Sequence, residues 1–226
     1  MFELFHGEID EGDMRNNLAI VGAGALGLEV MELAAEATLY EQNEEVQYKD
    51  KFFVDSKEFA EQNCVSDEEF LKNTEDPSYI IAIASPAQRK HISEVYKLAG
   101  AKAITAISKH AHVSISATIG NGSIIQKFSS ISSNTSVGEC FIANFHTYIG
   151  HDCRIGSFVT VSPGVSIGGN VHIEDSVFIG AGATIRNGTN QNPIKIGESA
   201  VIGMGAVVIG DVQAFSVVAG NPARVI

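Results

Sequence analysis

The chain is 226 residues long, 45% hydrophobic and 19% charged, the composition of a soluble globular protein of one large or two modest domains. A formal charge of −12 at pH 7 argues against nucleic acid as a partner, because binding a phosphate backbone needs a basic surface. The longest apolar runs fall far short of a membrane span, and the acidic N-terminus lacks the basic-then-apolar order of a signal peptide. No membrane insertion and a cytoplasmic location are therefore expected.

Residues 1–16, "MFELFHGEIDEGDMRN", carry no structural signal and read as an acidic tail. From Asn17, "NLAIVGAGALGLEVMELAAEA" reads as a buried strand, a glycine turn and an apolar-striped helix. "KFFVD" and "YIIAIAS" read as further strands, and "PAQRKHISEVYKLAG" as a helix with Pro86 in its first turn. Alternating strands and helices predict a small parallel α/β, Rossmann-like domain over 17–106. Within it Gly22, Gly24 and Gly27 spell G-x-G-x-x-G between strand and helix, where bare backbone and a helix N-terminus can hold a phosphate. The alternative is a tight turn that binds nothing. The unit is about half the length of a doubly wound dinucleotide domain, which argues against NAD.

In the C-terminal half the period changes. Val113, Ile119, Ile125, Ile131, Val137, Ala143 and Ile149 recur every sixth residue, and the series runs on through Ile155, Val161, Ile167, Ile173, Ile179 and Ile185. After an interruption at "RNGTNQNPIK" it resumes at Ile196, Ile202 and Val208. The residue four places after each is mostly small or β-branched. Period six suits short strands that turn a corner every six residues with two inward positions per hexad. Glycine and asparagine near those corners supply the conformations that other residues avoid.

This register resembles that of the hexapeptide-repeat acyltransferases. The resemblance implies a left-handed parallel β-helix over 107–226, in coils of three hexads; the hand comes from the resemblance, since ordinary crossovers favour the other. With the glycine motif ahead of it, the chain is similar to a narrower family, the bacterial nucleotide-amino-sugar N-acetyltransferases with the related sialic-acid O-acetyltransferases. That resemblance implies that the α/β domain binds the nucleotide of a nucleotide-sugar substrate. The phosphate-loop contacts fall on Gly24, Ala25 and Leu26, the acidic end of the second strand on Asp55 and Ser56, and a further strand-end contact on Ala84. Ser56 stands where the family often has a second acidic residue, and a solvated strand end is the plainer reading of Asp55.

In "IGHDCRIG", His151 and Asp152 take the third and fourth hexad positions, outside the two inward sites, whereas Cys153 takes an inward one that a small apolar thiol fills well. Acyl transfer from a thioester needs a base to take the nucleophile's proton, and an adjacent carboxylate can orient a histidine and favour its charged form. The resemblance places the base on His151 and its supporting acid on Asp152; an inert surface histidine is the alternative. Thr160 stands where many relatives have a second histidine that contacts the acetyl donor, and its hydroxyl can donate one hydrogen bond but carry no charge. The resemblance further implies acetyl-CoA as co-substrate, contacted at Gly169, Ala181 and Met204, and a homotrimer with its active sites between neighbouring β-helices. No metal is expected. His110, His146 and His151 have a spacing similar to that of the zinc histidines of β-helical carbonic anhydrases, but sit at other hexad positions. Scattered Cys64, Cys140 and Cys153 form neither a disulfide framework nor a zinc module.

The expected activity is acetyl-CoA-dependent N-acetylation of a nucleotide-linked amino sugar in surface-glycan biosynthesis, by direct transfer with a histidine base. O-acetylation of sialic acid or another sugar hydroxyl is the nearest alternative. A non-catalytic trimeric binding scaffold is the alternative from another class.

Overall fold

The computed structural model describes residues 17–55, 64–74 and 76–226. The N-terminal acidic stretch and Ser56 lie outside the described residues.

The run "LAIV" forms β1 (Leu18–Val21), with all four residues buried. It has no polar alternation because it is a middle strand of a parallel sheet covered on both faces. α1 (Ala25–Glu36) follows and turns Gly27, Val30, Met31, Leu33 and Ala34 inward, the spacing of one helical face. β2 (Thr38–Glu41) and β3 (Glu44–Val46) come next, joined by Gln42 and Asn43 at φ 48° and 70°. Two left-handed residues in a row make the tight hairpin connection that matches strand twist.

Further on lie β4 (Lys51–Val54), β5 (Cys64–Val65), α2 (Asp67–Asn73), β6 (Ser78–Ile81), α3 (Pro86–Leu98) and β7 (Lys102–Ala103). The sheet order is β5-β4-β1-β6-β7, and every pairing in it is parallel. The chain steps outward from β1 in both directions, so a crevice opens beyond the carboxyl ends of β1 and β6. The loops at residues 22–26 and 82–84 line it.

β2 and β3 do not join this sheet. β2 instead pairs antiparallel with β8 (Thr105–Ile107), which is the first rung of the repeat region. The hexad register therefore starts one hexad before Val113, with Ile107 beside Ile125.

From β8 onward, strands of two or three residues build a parallel β-helix of three sheets. Each rung lies beside the one 18 residues later: Ile131 pairs with Ile149, which pairs with Ile167. The inward residues, including Ile149, Cys153, Ile155 and Val159, form one continuous apolar core. At the fourth position of successive hexads the backbone turns through the left-handed region, as at Asn134, Asp152 and Asn170 with φ of 55–56°. The insertion lengthens the step, with Ile173 pairing with Ile196, 196 − 173 = 23 residues on, and the last coil shortens it, with Val201 pairing with Val217, 217 − 201 = 16 residues on.

The two parts share a core. Ala106, Ile124 and Ile142, the outward residues of one β-helix sheet, pack with Leu18, Ile20 and Leu39 of the α/β part. An ion pair between Lys97 of α3 and Glu139 of the coil adds to the seam.

Candidate active site

The glycine loop follows from packing. Gly22 has φ 103°, and a Cβ there would lie 3.0 Å from the Ala82 carbonyl oxygen. Gly27 is tighter still, since a Cβ would lie 1.9 Å from the Gly22 carbonyl oxygen, so helix and strand approach through bare backbone. Gly24, by contrast, faces open space. It is the N-cap of α1, and neither a capping side chain nor an acidic residue serves the first turn. Gly24 and Ala25 are exposed and Leu26 half-buried, leaving the first amides of the helix facing outward. Asp55, at the end of β4, uses one carboxylate oxygen to accept a 2.7 Å bond from the Ala23 amide, so it braces this loop. Ala84 is exposed at the far side of the crevice.

The second cluster stands on a corner of the β-helix. His151 Nδ1 lies 2.7 Å from Asp152 Oδ2, and the histidine side chain is 55% exposed. Asn134, one coil earlier at the same corner, donates its side-chain amide to the other carboxylate oxygen at 3.2 Å. The bonds from His151 and then Asn134 hold the Asp152 carboxyl below the usual carboxylate range. A neutral ring that donates Nδ1–H to this carboxylate presents the Nε2 lone pair outward, the form a general base requires. The ring lies on Gly169 of the next coil, where a Cβ would come within 2.6 Å of Nε2 and 2.7 Å of Cε1. Cys153, adjacent in sequence, points into the core, and burial pushes its thiol pKa up. It has no thiolate character for attack.

The remaining expected positions divide. Gly169 meets His151 directly, whereas Ala181 and Met204 lie on the neighbouring corner, across the strands Ser166–Ile167 and Thr184–Ile185. Met204 is exposed. At that same corner Gly164, Gly182 and Gly205 have open space where side chains would project. In the earlier coils it carries a stack in which Phe128 lies between His110 and His146, at ring-centroid distances of 5.8 and 5.1 Å. These two histidines thus belong to a different corner from His151.

Thr160 is 1% exposed, and its hydroxyl donates to the Ala84 carbonyl oxygen at 2.7 Å. Its single hydrogen is therefore engaged within the protein. It also accepts a 2.9 Å bond from Arg89, a completely buried arginine that the sequence reading did not single out. The available signal was the spacing of Arg89, Ser93 and Tyr96, which puts a guanidinium on the buried face of α3.

A coil of hexads carrying an exposed histidine–carboxylate pair, with a small α/β unit seated on its first rungs, defines a hexapeptide-repeat transferase. Residues 152–187 match the family described as "Bacterial transferase hexapeptide (six repeats)", and residues 170–209 match "Hexapeptide repeat of succinyl-transferase". GDP-perosamine N-acetyltransferase of Escherichia coli O157:H7 is 37% identical over 215 residues, spanning 92% of this chain and 96% of that protein. The structure of WeeI from Acinetobacter baumannii AYE superposes with a TM-score of 0.83 at 34% identity, over 92% of this chain and 99% of WeeI. The acetyltransferase domain of PglB from Neisseria gonorrhoeae FA1090, in complex with acetyl coenzyme A, gives 0.81 at 28% identity, over 94% of this chain and 100% of the domain. The chain belongs to the family of hexapeptide-repeat acetyltransferases that includes these proteins, with the left-handed parallel β-helix and N-terminal α/β domain of that fold. No helix among the described residues is long and apolar enough to cross a membrane.

Proposed function

We propose that the protein transfers the acetyl group of acetyl-CoA directly to the amine of a nucleotide-linked amino sugar, with His151 as general base. The observation that carries this reading is the 2.7 Å bond between His151 Nδ1 and Asp152, made on an exposed corner with Nε2 directed away from the carboxylate. The likeness to a GDP-perosamine N-acetyltransferase over nearly the whole chain supports an amine acceptor on a nucleotide sugar. The likeness to a domain bound to acetyl coenzyme A supports the donor.

The geometry is compatible with the following division of labour. The outward amides at Gly24, Ala25 and Leu26 receive the diphosphate, assisted by the positive end of α1. Asp55 shapes that loop, and Ala84 forms the opposite wall of the crevice. The bare corner at Gly164, Gly182 and Gly205, beside Ala181 and Met204, gives the pantetheine arm a groove of exposed backbone. Within one chain this groove and His151 face different corners, so the site is completed by a second copy whose bare corner meets the first copy's histidine. A closed three-fold ring satisfies every such contact. Nε2 of His151 then removes a proton as the amine attacks the thioester carbonyl; the thiolate of coenzyme A leaves and takes up a proton. Asp152 stabilises the imidazolium formed during transfer. The acceptor amine thereby becomes the amide of the product, for glycan assembly.

The test is thiol release from acetyl-CoA with GDP-, UDP- and dTDP-linked 3-amino and 4-amino sugars, followed by mild alkali. We expect turnover on one of these and a product that resists alkali. An alkali-labile product would establish a hydroxyl acceptor instead, and binding without thiol release would establish a scaffold.

A further inference from the structure

We infer that Arg89 is a positioning residue that sets the nucleotide-binding crevice in register with the histidine-bearing coil. This inference rests on the proposed function and adds to it a determinant in the α/β domain.

Arg89 is 0% exposed, and its guanidinium reaches acceptors in both parts of the molecule. Toward the crevice, Nη1 donates to the carbonyl oxygens of Ile83 at 2.6 Å and Ala84 at 3.2 Å. Toward the coil, Nε donates to the carbonyl oxygen of Cys140 at 2.7 Å, and Nη2 donates to that of Phe158 at 2.7 Å and to Thr160 Oγ1 at 2.9 Å. Arginine has five N–H donors, and all five are engaged here. Thr160 closes the circuit by donating to Ala84 at 2.7 Å.

The coil acceptors are not incidental. Cys140 and Phe158 occupy the left-handed fourth position of hexads in consecutive coils, with φ of 49° and 61°. Their amides pair with Asn121 and Glu139 of the preceding coil, and their carbonyl oxygens take no part in the backbone ladder. At the open corners water can satisfy such carbonyls. At this corner α3 covers them, and a buried carbonyl without a donor is costly. Arg89 serves two at once and ties two coils to the loop that ends at Ala84.

Burial lowers the arginine pKa to about 10, which still leaves it charged at neutral pH. A buried cation held by carbonyls and a hydroxyl fixes the relative positions of those acceptors, which would be left buried without donors if it were removed. What the arrangement fixes is the position of Ala84, the far wall of the crevice, relative to Thr160. Thr160 begins the strand Thr160–Val161, less than ten residues on from His151 along the coil. The Arg89 head thus joins the far wall of the crevice to the body that holds the base. A fork of five donors can do this; an ammonium with three cannot reach both sides with the same angles.

The experiment compares two acceptors in one enzyme: the nucleotide-linked amino sugar that the wild type turns over, and the same amino sugar without its nucleotide. The first depends on the register between crevice and base, and the second does not. In Arg89→Lys and Arg89→Met, we expect the ratio of kcat/KM for the linked over the free sugar to fall by roughly 10- to 100-fold, the scale of a misplacement of about 1 Å. The ratio cancels any loss of folded enzyme. Affinity for the free nucleoside diphosphate should fall far less than this ratio, because the loop at Gly24 that receives the diphosphate makes no contact with Arg89. If neither variant folds, Thr160→Val, which removes one link on each side, is read by the same ratio, and Thr160→Ser should restore it. A ratio unchanged from wild type, or nucleoside diphosphate affinity falling in step with it, would overturn the inference. Wild-type enzyme that releases no thiol with any linked amino sugar would overturn the proposed function itself.

Discussion

Gly169→Ala is the most searching small change to the site. An alanine Cβ would stand 2.6 Å from His151 Nε2, 2.7 Å from Cε1 and 3.0 Å from Cδ2, whereas ordinary contact begins near 3.4 Å. The ring must withdraw by at least 3.4 − 2.6 = 0.8 Å. It is free to do so, because the His151 side chain is 55% exposed and swings toward solvent. The swing carries Nδ1 away from Asp152 and breaks the 2.7 Å bond that orients the base. Residue 169 has no left-handed φ, so the backbone tolerates alanine and the fold should lose little stability. A base displaced by nearly 1 Å lowers kcat by roughly 100-fold. Steady-state kinetics with acetyl-CoA varied, together with a thermal melt, decide the matter. We expect a large fall in kcat with the melting temperature nearly unchanged. If kcat survives and only KM for acetyl-CoA rises, Gly169 serves the donor alone and the contact with His151 is immaterial to catalysis.

Further outcomes follow from the same geometry. Asp152→Asn should lower kcat by at least ~10-fold, since the histidine loses both its anionic orienter and the charge that offsets imidazolium. Because the Asp152 pKa is lowered in the fold by His151 and Asn134, its contribution to stability is present above the ordinary carboxylate range and is lost as pH falls through the lowered value. The melting-temperature difference between wild type and Asp152→Asn should therefore shrink toward acid; a difference independent of pH would contradict this. Gly27→Ala, which must force backbone apart at 1.9 Å, should destabilise the protein by roughly 1–3 kcal/mol or more, whereas Gly24→Ala should leave the melt unchanged. Cys153→Ala should retain most of its turnover, because the thiol is a core residue whose burial keeps it protonated; loss of activity without loss of fold would point to an acyl-enzyme.

The repeat region was legible because its rule is local. Six residues per corner, with two inward, is written into each hexad, and Ile149, Cys153 and Ile155 occupy their inward places. The same register placed His151 and Asp152 on the outside, where the structure joins them. Contacts that depend on docking between the two parts were not legible. Nothing in "TLYEQNEEV" tells β2 and β3 to leave the parallel sheet for the first rung of the coil, although the paired left-handed residues Gln42 and Asn43 make their turn. Arg89 lies in a surface-like helix sequence, and its acceptors on the coil are 51 to 71 positions away. Thr160 read as a weakened donor contact because many relatives have a second histidine there; a hexad shows only whether a side chain points in or out, and what covers the outward face depends on α3. In this structure Arg89 and Ala84 cover it.

The most direct test of the central claim is single-turnover acetyl transfer from acetyl-CoA to the nucleotide-linked amino sugar by wild type and His151→Ala, with nucleoside diphosphate affinity measured on the same preparations. If His151 is the base, transfer falls by roughly 10²–10⁴-fold while affinity is unchanged. Transfer by His151→Ala at the wild-type rate would contradict it.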